Sequence, residues 1–232
     1  MTAAISEPAK ERLLLLLHLL EKNPGQAVTS ARLEQLTGWS RETIRKDISC
    51  LGGGDGGTGA AIGGNAGYEP EALIPLIKNA LGLGRLRKFC VVGLGRLGSA
   101  YLNFTPPELA EFELAAGFDS NVNRVEILSY ALHSSYAEHS SYAEHSCDVS
   151  VPLYPAYKMA EVISRLGIEI AMICVPAQAA QAVAEKCAAA GIRGILNFAP
   201  VALNLPPEIA VRNMFVTDDL RYLAIKIKAN GA

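Results

Sequence analysis

The sequence predicts an α/β protein with two domains: an N-terminal winged-helix (helix-turn-helix) domain and a C-terminal Rossmann-type domain with a doubly wound parallel sheet. Two observations carry this prediction. Three short helices with capping signals fill residues 11–51, and from residue 89 onward strand, glycine turn and helix follow one another repeatedly. The 232 residues are enough for two small cores. We expect domains over residues 1–83 and 84–216, and a separate C-terminal helix over 217–232.

The composition is that of a globular protein, with 50% hydrophobic and 19% charged residues. Apolar runs such as residues 13–17 are far shorter than the roughly 18 residues of a membrane span, and the N-terminus lacks a signal-peptide pattern. We therefore expect no membrane partner. Five cysteines without a C-x-x-C pair indicate reduced thiols and a cytoplasmic location. Cys174, inside an apolar strand, is expected to serve packing.

The first three helices follow from stop and cap signals. Residues 11–22 have a broad apolar stripe that ends at the helix-stopping sequence NPG. Thr29 or Ser30 can cap a second helix, which Gly38 would end. Ser40 can cap a third, RETIRKDISCL, which has an apolar face of Ile44, Ile48 and Leu51 and a basic face of Arg41 and Arg45, with Lys46 beside them.

The second and third helices, joined by a short turn that contains glycine, form a helix-turn-helix pattern. We interpret the third helix as a recognition helix for the major groove of double-stranded DNA, with Arg41, Thr43, Arg45 and Lys46 as the candidate DNA-binding residues. Lys and Arg outnumber Asp and Glu by 11 to 9 in residues 1–88, which permits this contact without requiring it. A three-helix bundle with a charged, solvated face has the same pattern and remains an alternative.

A glycine-rich segment follows the third helix. Residues 52–67 contain nine glycines and no Lys or Arg, which favours a mobile loop or a loosely held hairpin. Helical spacing resumes over residues 68–83, and the glycines at 82 and 84 suit a hinge before the second domain.

The second domain is predicted from its alternation of strands and helices. Further strands are expected at residues 112–118, 168–175 and 192–198, with a helix over 177–190. The repeat HSSYAEHSSYAEHS, residues 133–146, spaces its histidines six apart, so they do not share a helix face; we expect a solvated insertion and no metal site. The last helix, 217–228, begins at a Thr217 cap and carries charges that suit the helix dipole.

The sequence FCVVGLGRLGSAYLNF, residues 89–104, contains the motif G-x-G-x-x-G between a strand and a helix. Gly93 makes the turn, Gly95 lets the backbone approach a pyrophosphate, and Gly98 lets helix and strand pack closely. The intervening Leu94, Arg96 and Leu97 belong to the same candidate cofactor site. The phosphates would lie on the free N–H groups of the helix start. A domain with unused glycine turns is the alternative.

An acidic residue at the end of the next predicted strand supports the interpretation of a dinucleotide site. Asp119 ends the next strand, 21 residues beyond Gly98, close to the roughly 20 expected of the carboxylate that binds the adenosine ribose. An acid there would repel a 2′-phosphate, so NAD and NADH are favoured over NADP, although Arg124 nearby leaves NADP open.

Catalytic residues are not evident. Tyr154 and Lys158 have the Y-x-x-x-K spacing of short-chain dehydrogenases, but Pro152 and Pro155 bracket the tyrosine and we take the match as coincidence. With no other convincing general acid or base at a predicted strand end, we assign no catalytic residue. A cofactor site without catalytic groups is typical of a sensor.

In combination, these segments resemble the Rex family of redox-sensing transcriptional repressors over nearly the whole chain. The matching residues are RETIRKDIS, GYEPEALI, VVGLGRLGSA, AGFD, IAMICVPAQAAQAVAEKCAAAGIRGILNFAPVALNLP and VRN. The resemblance implies a winged-helix domain, a Rossmann domain that binds NADH and NAD⁺ competitively, and a homodimer whose last helix is exchanged between subunits. It also implies that NADH moves the winged helices out of register with the operator and so relieves repression.

Two strand ends suit the nicotinamide pocket within that scheme. Val175 and Pro176 follow one strand and Asn197, Phe198, Ala199 and Pro200 follow the next, at the sheet edge where doubly wound folds bind ligands. The last helix carries apolar residues on two sides, Leu220, Leu223 and Ile227 on one and Tyr222 and Ile225 on the other, and a partner subunit would bury the remainder.

The chain also departs from the family pattern. Lys10 and Arg12 stand where the family's first helix has a longer basic pattern, and the glycine-rich wing has no basic residue. Phe104 and Phe215 stand where the resemblance implies a tyrosine and an acid that help to distinguish the redox states.

The leading hypothesis is an NADH-responsive, dimeric repressor that binds two-fold symmetric operator DNA. The alternatives are an NAD-dependent oxidoreductase with an N-terminal dimerisation bundle, and a nucleotide-binding module that no longer binds DNA.

Overall fold

The computed structural model describes residues 5–23, 25–51, 67–102, 111–138 and 151–230. The chain divides into two compact units, Met1–Arg85 and Leu86–Ala232. The functional boundaries predicted at residues 83 and 216 stay a prediction. Within the described residues, no helix combines the length and the apolar character that crossing a membrane requires.

The first unit is a helix-turn-helix fold with a fourth helix. Its elements are α1 (Glu7–Glu21), α2 (Ser30–Thr37), α3 (Arg41–Ser49) and α4 (Pro70–Ala80). Val28 and Tyr68 form an antiparallel bridge, with two backbone hydrogen bonds of 2.9 Å. All four helices contribute to one core, whose fully buried members include Leu13, Leu20, Leu33, Ile48, Leu73 and Ile77.

The caps of α2 and α3 confirm the predicted ones. The Thr29 hydroxyl accepts the Arg32 N–H at 3.1 Å, and the Ser40 hydroxyl accepts the Thr43 N–H at 3.2 Å. Gly38 ends α2 in the left-handed region at φ 74°. Helix α1 begins at Glu7, earlier than predicted, because a proline in its first turn fits the fixed φ of a helix start.

The second unit is a doubly wound parallel sheet with helices on both faces. In chain order its elements are β1 (Arg87–Val92), α5 (Arg96–Tyr101), β2 (Phe112–Asp119), α6 (Val122–Glu138), β3 (Leu153–Pro155), a 3₁₀ turn (Ala156–Lys158), α7 (Met159–Leu166), β4 (Ile170–Ile173), α8 (Ala177–Ala189), β5 (Gly194–Asn197), β6 (Ala210–Asn213) and α9 (Val216–Asn230). The strand order is β3-β2-β1-β4-β5-β6, with every pair parallel. The predicted α/β class is confirmed.

Alternate residues of the strands pack into two hydrophobic cores, one on each face of the sheet. One face of the sheet packs against α7 and α8 through residues such as Phe118, Ile173 and Ile163. The other face packs against α5 and α6 through residues such as Val91 and Leu132. The strands β4 and β5 are shorter than predicted, because Ile168 and Ile192 lie buried in the turns before them.

Several predictions need correction or fall outside the described residues. Helix α9 begins at Val216, so Thr217 lies inside it and is not its cap. The first copy of the repeat, residues 133–138, continues α6, and the predicted insertion stays a prediction. The remaining repeat, the glycine-rich residues 52–66 and Phe104 lie outside the described residues.

Candidate nucleotide cavity and DNA-facing helix

A cavity of about 580 Å³ opens at the carboxyl edge of the sheet. Strand order reverses at β1, whose neighbours are β2 and β4, and ligands of doubly wound folds bind at such a switch point. The lining residues are Val92, Gly93, Gly95, Leu97, Phe118, Asp119, Ser120, Arg124, Ala156, Cys174, Val175, Pro176, Ala179, Val183 and Phe198.

The three motif glycines meet different constraints. Gly93 has φ +95°, and a Cβ there would lie 2.8 Å from the Cys174 carbonyl oxygen. A Cβ on Gly98 would collide with the Gly93 carbonyl oxygen, so this glycine closes the turn against the helix. A Cβ on Gly95 would have no described protein atom within 4 Å, because it would point into open space. The turn is thus shaped by protein at two positions and left open at the third.

Asp119 ties the glycine turn to the end of β2. Its side chain is 4% exposed, and its Oδ2 accepts the Leu94 N–H at 2.7 Å and an Arg124 guanidinium N–H at 3.1 Å. The Oδ1 atom accepts the Asn121 N–H at 2.7 Å and has a further lone pair. A ribose hydroxyl can donate to that oxygen, whereas a second one would have to displace the half-exposed Arg124.

Seven of the predicted cofactor residues line the cavity: Gly93, Gly95, Leu97, Asp119, Val175, Pro176 and Phe198. Leu94 is buried and offers only its N–H to Asp119, Gly98 is buried behind the turn, and Arg96 is exposed. Their contact with a cofactor stays a prediction.

The turn after β5 is held by Asn197, which does not line the cavity. Its buried amide donates to the Val201 carbonyl at 2.8 Å and to Asn213 Oδ1 at 2.9 Å, and its Oδ1 accepts the Ala199 N–H at 3.0 Å. Ala199 is buried and Pro200 is exposed, both away from the lining. Asn197 therefore shapes the turn that carries Phe198 to the cavity wall.

Sequence reasoning missed part of the lining. Val92, Phe118 and Cys174 lie at the ends of β1, β2 and β4, and their place at one sheet edge is the signal that could have found them. Cys174 packs against the core as predicted and also lines the cavity, and burial raises the pKa of its thiol to about 11. It is thus a neutral, unreactive thiol near pH 7.

Tyr154 and Lys158, whose spacing resembles that of short-chain dehydrogenases, lie in β3 and in the 3₁₀ turn after it. The Tyr154 ring packs against Phe118, with centroids 5.9 Å apart. In the part of the chain that the structure describes, no group of three or more His, Cys, Asp or Glu residues is arranged to hold a metal ion.

The helix α3 separates an apolar from a basic face. Ile44 and Ile48 are buried, while Arg45 and Lys46 are exposed. Arg41 donates to Glu34 of α2 at 2.7 Å, and the Thr43 hydroxyl lies 3.0 Å from the Ser40 hydroxyl. Of the four predicted DNA-binding residues, Arg45 and Lys46 are therefore the ones that α3 presents outward without an ion pair to α2.

Arg45 has an interaction within its own unit. Burial raises the pKa of the Tyr68 phenol, and the charge of Arg45 and a hydrogen bond with it act in the opposite direction. Tyr68 is itself fixed by the bridge to Val28 and by burial in the core. The guanidinium of Arg45 thus has a neighbour that limits its conformations.

The residues that depart from the family pattern have local roles. Lys10 pairs with Glu7 at 2.6 Å, and Arg12 pairs with Asp47 of α3. The carbonyl of Phe215 accepts the Asp218 N–H at 2.8 Å at the start of α9.

The chain is similar to known proteins over both of its units. The family model described as "CoA binding domain" matches residues 85–201. The "Redox-sensing transcriptional repressor Rex" of Thermus thermophilus is 36% identical over 228 residues, which cover 96% of this chain and 94% of that protein.

Two solved structures are similar over nearly the whole chain. RSP in complex with β-NAD⁺ and operator DNA is 25% identical, with a TM-score of 0.76 and coverage of 99% of this chain and 95% of that one. RSP in complex with β-NADH has the same fold, with 24% identity, a TM-score of 0.74 and coverage of 99% and 97%. By its similarity to Rex over almost its full length, the chain belongs to the Rex family of redox-sensing transcriptional repressors.

Proposed function

We propose that this protein is a dimeric transcriptional repressor that binds operator DNA through its winged-helix domain and releases it when NADH occupies the Rossmann domain. One observation carries the proposal: a single chain contains a glycine-turn cavity at a sheet switch point and a helix-turn-helix with Arg45 and Lys46 exposed. Family membership supports both halves, and so does the similarity to RSP, which was solved with β-NAD⁺ and operator DNA.

The cavity takes NAD⁺ and NADH in this proposal. The pyrophosphate lies against the turn at Gly95, and the adenosine ribose donates to Asp119. Val175, Pro176 and Phe198 form the wall for the nicotinamide end. Arg41, Thr43, Arg45 and Lys46 face DNA, with base contacts assigned to Arg45 and Lys46.

The protein acts as a homodimer. The side chains of α9 support this, because a run of apolar residues there is largely exposed: Leu220 61%, Tyr222 59%, Leu223 55%, Ile225 67% and Ile227 72%. A second apolar cavity of about 310 Å³, lined by Phe89, Phe112, Ile170, Met172 and others, leaves part of the sheet free for a partner. We assign α9 to exchange between subunits, as a dimerisation element beyond the winged-helix and Rossmann domains.

The protein regulates transcription and carries out no catalysis of its own. Family relatives are named as repressors, and the described residues of the cavity wall include no pair of acid and base groups beyond Asp119 and Arg124, which bind each other. We place the protein in the cytoplasm, where its operator is.

The test measures operator binding under different nucleotides. A duplex that the protein selects from a randomised pool is titrated with protein at fixed salt, alone and with NADH, NAD⁺ or coenzyme A. We expect NADH to weaken binding, and NAD⁺ and coenzyme A to leave it intact. A selected duplex that stays bound at saturating NADH would contradict the redox response. Failure to select any duplex would contradict the repressor itself.

The dimer has its own test. Leu223→Asp introduces a charge into the exposed apolar side of α9, so we expect a mass near that of one chain by light scattering. The control is Lys228→Ala, an exposed residue of the same helix, which should leave the dimer intact. A dimer that survives Leu223→Asp would contradict the role of α9.

A further inference from the structure

The recognition helix contains a buried acid that the proposed function does not use. Asp47 follows Arg45 and Lys46 directly, yet it is only 7% exposed. An isolated carboxylate at such a position is costly, because burial removes the water that would stabilise its charge. An acid on a DNA-facing helix would also repel phosphates. Asp47 therefore requires a stabilising partner, and its place on this helix calls for a role that DNA contact does not supply.

Its partner is Arg12 of α1. Arg12 Nε donates to Asp47 Oδ2 at 2.6 Å, and Arg12 Nη2 donates to Oδ1 at 2.8 Å. The two parallel bonds make a bidentate pair, which fixes relative orientation as well as distance. The hydrogen bonds that Arg12 donates to Asp47 are the main reason that the pKa of Arg12 is raised, against a smaller opposing effect of burial.

Ile44 and Ile48 of α3 pack into the core that α1 also enters, and Arg41 of α3 pairs with Glu34 of α2. Apolar contacts are non-directional, and Arg41–Glu34 is an exposed pair, so both constrain the rotation of this short helix less than a bidentate pair does. A turn of about 20° moves a side chain at a radius of about 6 Å by about 2 Å. That shift is large enough to break a bidentate contact with a base edge.

We propose that Arg12 is a positioning residue for DNA recognition: its bidentate pair with Asp47 fixes the rotational setting of α3, so that Arg45 and Lys46 reach base edges together. This inference rests on the proposed DNA-binding function. A buried ion pair contributes little net stability relative to apolar residues of the same size, whereas removal of one partner alone is destabilising, so positioning is read from specificity in folded variants. The positioning role differs from a phosphate contact by Arg12, because both guanidinium bonds are directed inward.

The experiment compares specific with nonspecific binding in the full chain. The affinity for the selected duplex is divided by the affinity for a scrambled duplex of the same length, at one salt concentration. The variants are Arg12→Met, Arg12→Lys and Asp47→Asn. The control is Lys10→Met, which removes an exposed pair on the same helix. NADH titration and thermal melting report the fold.

We expect Arg12→Met and Asp47→Asn each to lower this ratio at least tenfold, roughly the cost of one mismatched base pair. The ratio for Arg12→Lys should lie between that of these two variants and that of the parent. A lysine ammonium group attracts Asp47 but cannot form the two parallel hydrogen bonds of a guanidinium. The affinities for NADH and for the scrambled duplex should remain, as should all values for Lys10→Met.

Three results would overturn the proposal. Arg12→Met with the parent ratio shows that the pair does not position α3. Asp47→Asn that tightens binding to both duplexes shows that Asp47 merely restrains a phosphate contact by Arg12. If Arg12→Met does not fold, the apolar double variant Arg12→Met/Asp47→Leu decides: a folded double variant with the parent ratio overturns the proposal, and one with a lowered ratio supports it. A parent protein with no preference for any duplex refutes the proposed function instead.

Discussion

The glycine turn of the second unit and the helix α3 of the first unit are held in place by different means. The turn is fixed by backbone, since a Cβ at Gly93 or Gly98 would meet main-chain oxygen. The helix α3 is fixed by side chains from other elements, through Arg12 to Asp47 and Glu34 to Arg41. The glycine turn is therefore intolerant of added atoms at Gly93 and Gly98, whereas the setting of α3 depends on removable polar pairs.

The largest expected effect lies in the turn. Gly98→Ala forces the turn and α5 apart, so we expect a loss of stability of about 1–3 kcal/mol or more in the second unit, with loss of NADH binding. Gly95→Ala is the matched control, because its methyl group enters open space. It should keep the parent melting temperature and still lose NADH affinity. Equal melting temperatures for the two variants would remove the distinction between a structural and a ligand-facing glycine.

On the DNA side, Arg45→Ala should weaken operator binding by roughly 1–3 kcal/mol and relax selectivity at the base that it contacts. A Lys46→Ala variant that weakens selected and scrambled duplexes alike would assign Lys46 to phosphate. Titration of each variant at fixed salt, with a circular dichroism spectrum as the check of folding, makes the measurement. Parent affinity for Arg45→Ala would remove that residue from the interface.

The Asp119 side chain, which accepts the Leu94 N–H of the glycine turn, is the next position to test. Asp119→Asn removes a charged acceptor from the ribose site, so calorimetry should show NADH affinity lower by about 1.5–3 kcal/mol. The same variant should narrow the preference for NADH over NADPH, because the acid no longer repels a 2′-phosphate. The companion variant Arg124→Met removes the guanidinium that donates to Asp119 Oδ2, and it should not weaken the binding of NADH. Unchanged NADH affinity for Asp119→Asn would refute the ribose assignment.

The smallest expected effect tests the neighbour of Arg45. Tyr68→Phe keeps the buried ring and removes the hydroxyl that interacts with the guanidinium. We expect operator binding to weaken by about 0.5–1.5 kcal/mol, the net value of one hydrogen bond, with little change in thermal stability. Additive effects of Tyr68→Phe and Arg45→Ala would show that the two residues act independently.

The same contrast explains what could be predicted from the sequence. The glycine motif and the α2 and α3 caps depend on residues close together in the chain, and Asp119 follows the motif at the spacing typical of a dinucleotide-binding unit, so sequence patterns revealed them. The Arg12–Asp47 pair joins residues 35 positions apart, and no periodicity marks it. Arg12 was predicted only as a remnant of a basic pattern.

Asn197 gives a second example. Its place after a strand predicted a residue of the cofactor pocket, but its amide holds the turn from inside. Position at a strand end shows where a residue lies, and only the fold shows which way its side chain points. The strands β3 and β6 were missed for another reason: β3 has only three residues, and β6, AVRN, is largely exposed and so lacks the apolar run that marks β4 and β5.

The central claim is that NADH and operator DNA weaken each other's binding to this protein, and linkage allows a direct test. NADH affinity is measured by calorimetry for the free protein and for the protein saturated with its selected duplex. We predict an affinity at least about fivefold weaker in the DNA complex, matched by an equal loss of DNA affinity at saturating NADH, because such coupling is reciprocal. Identical NADH affinity in the two states would contradict the account.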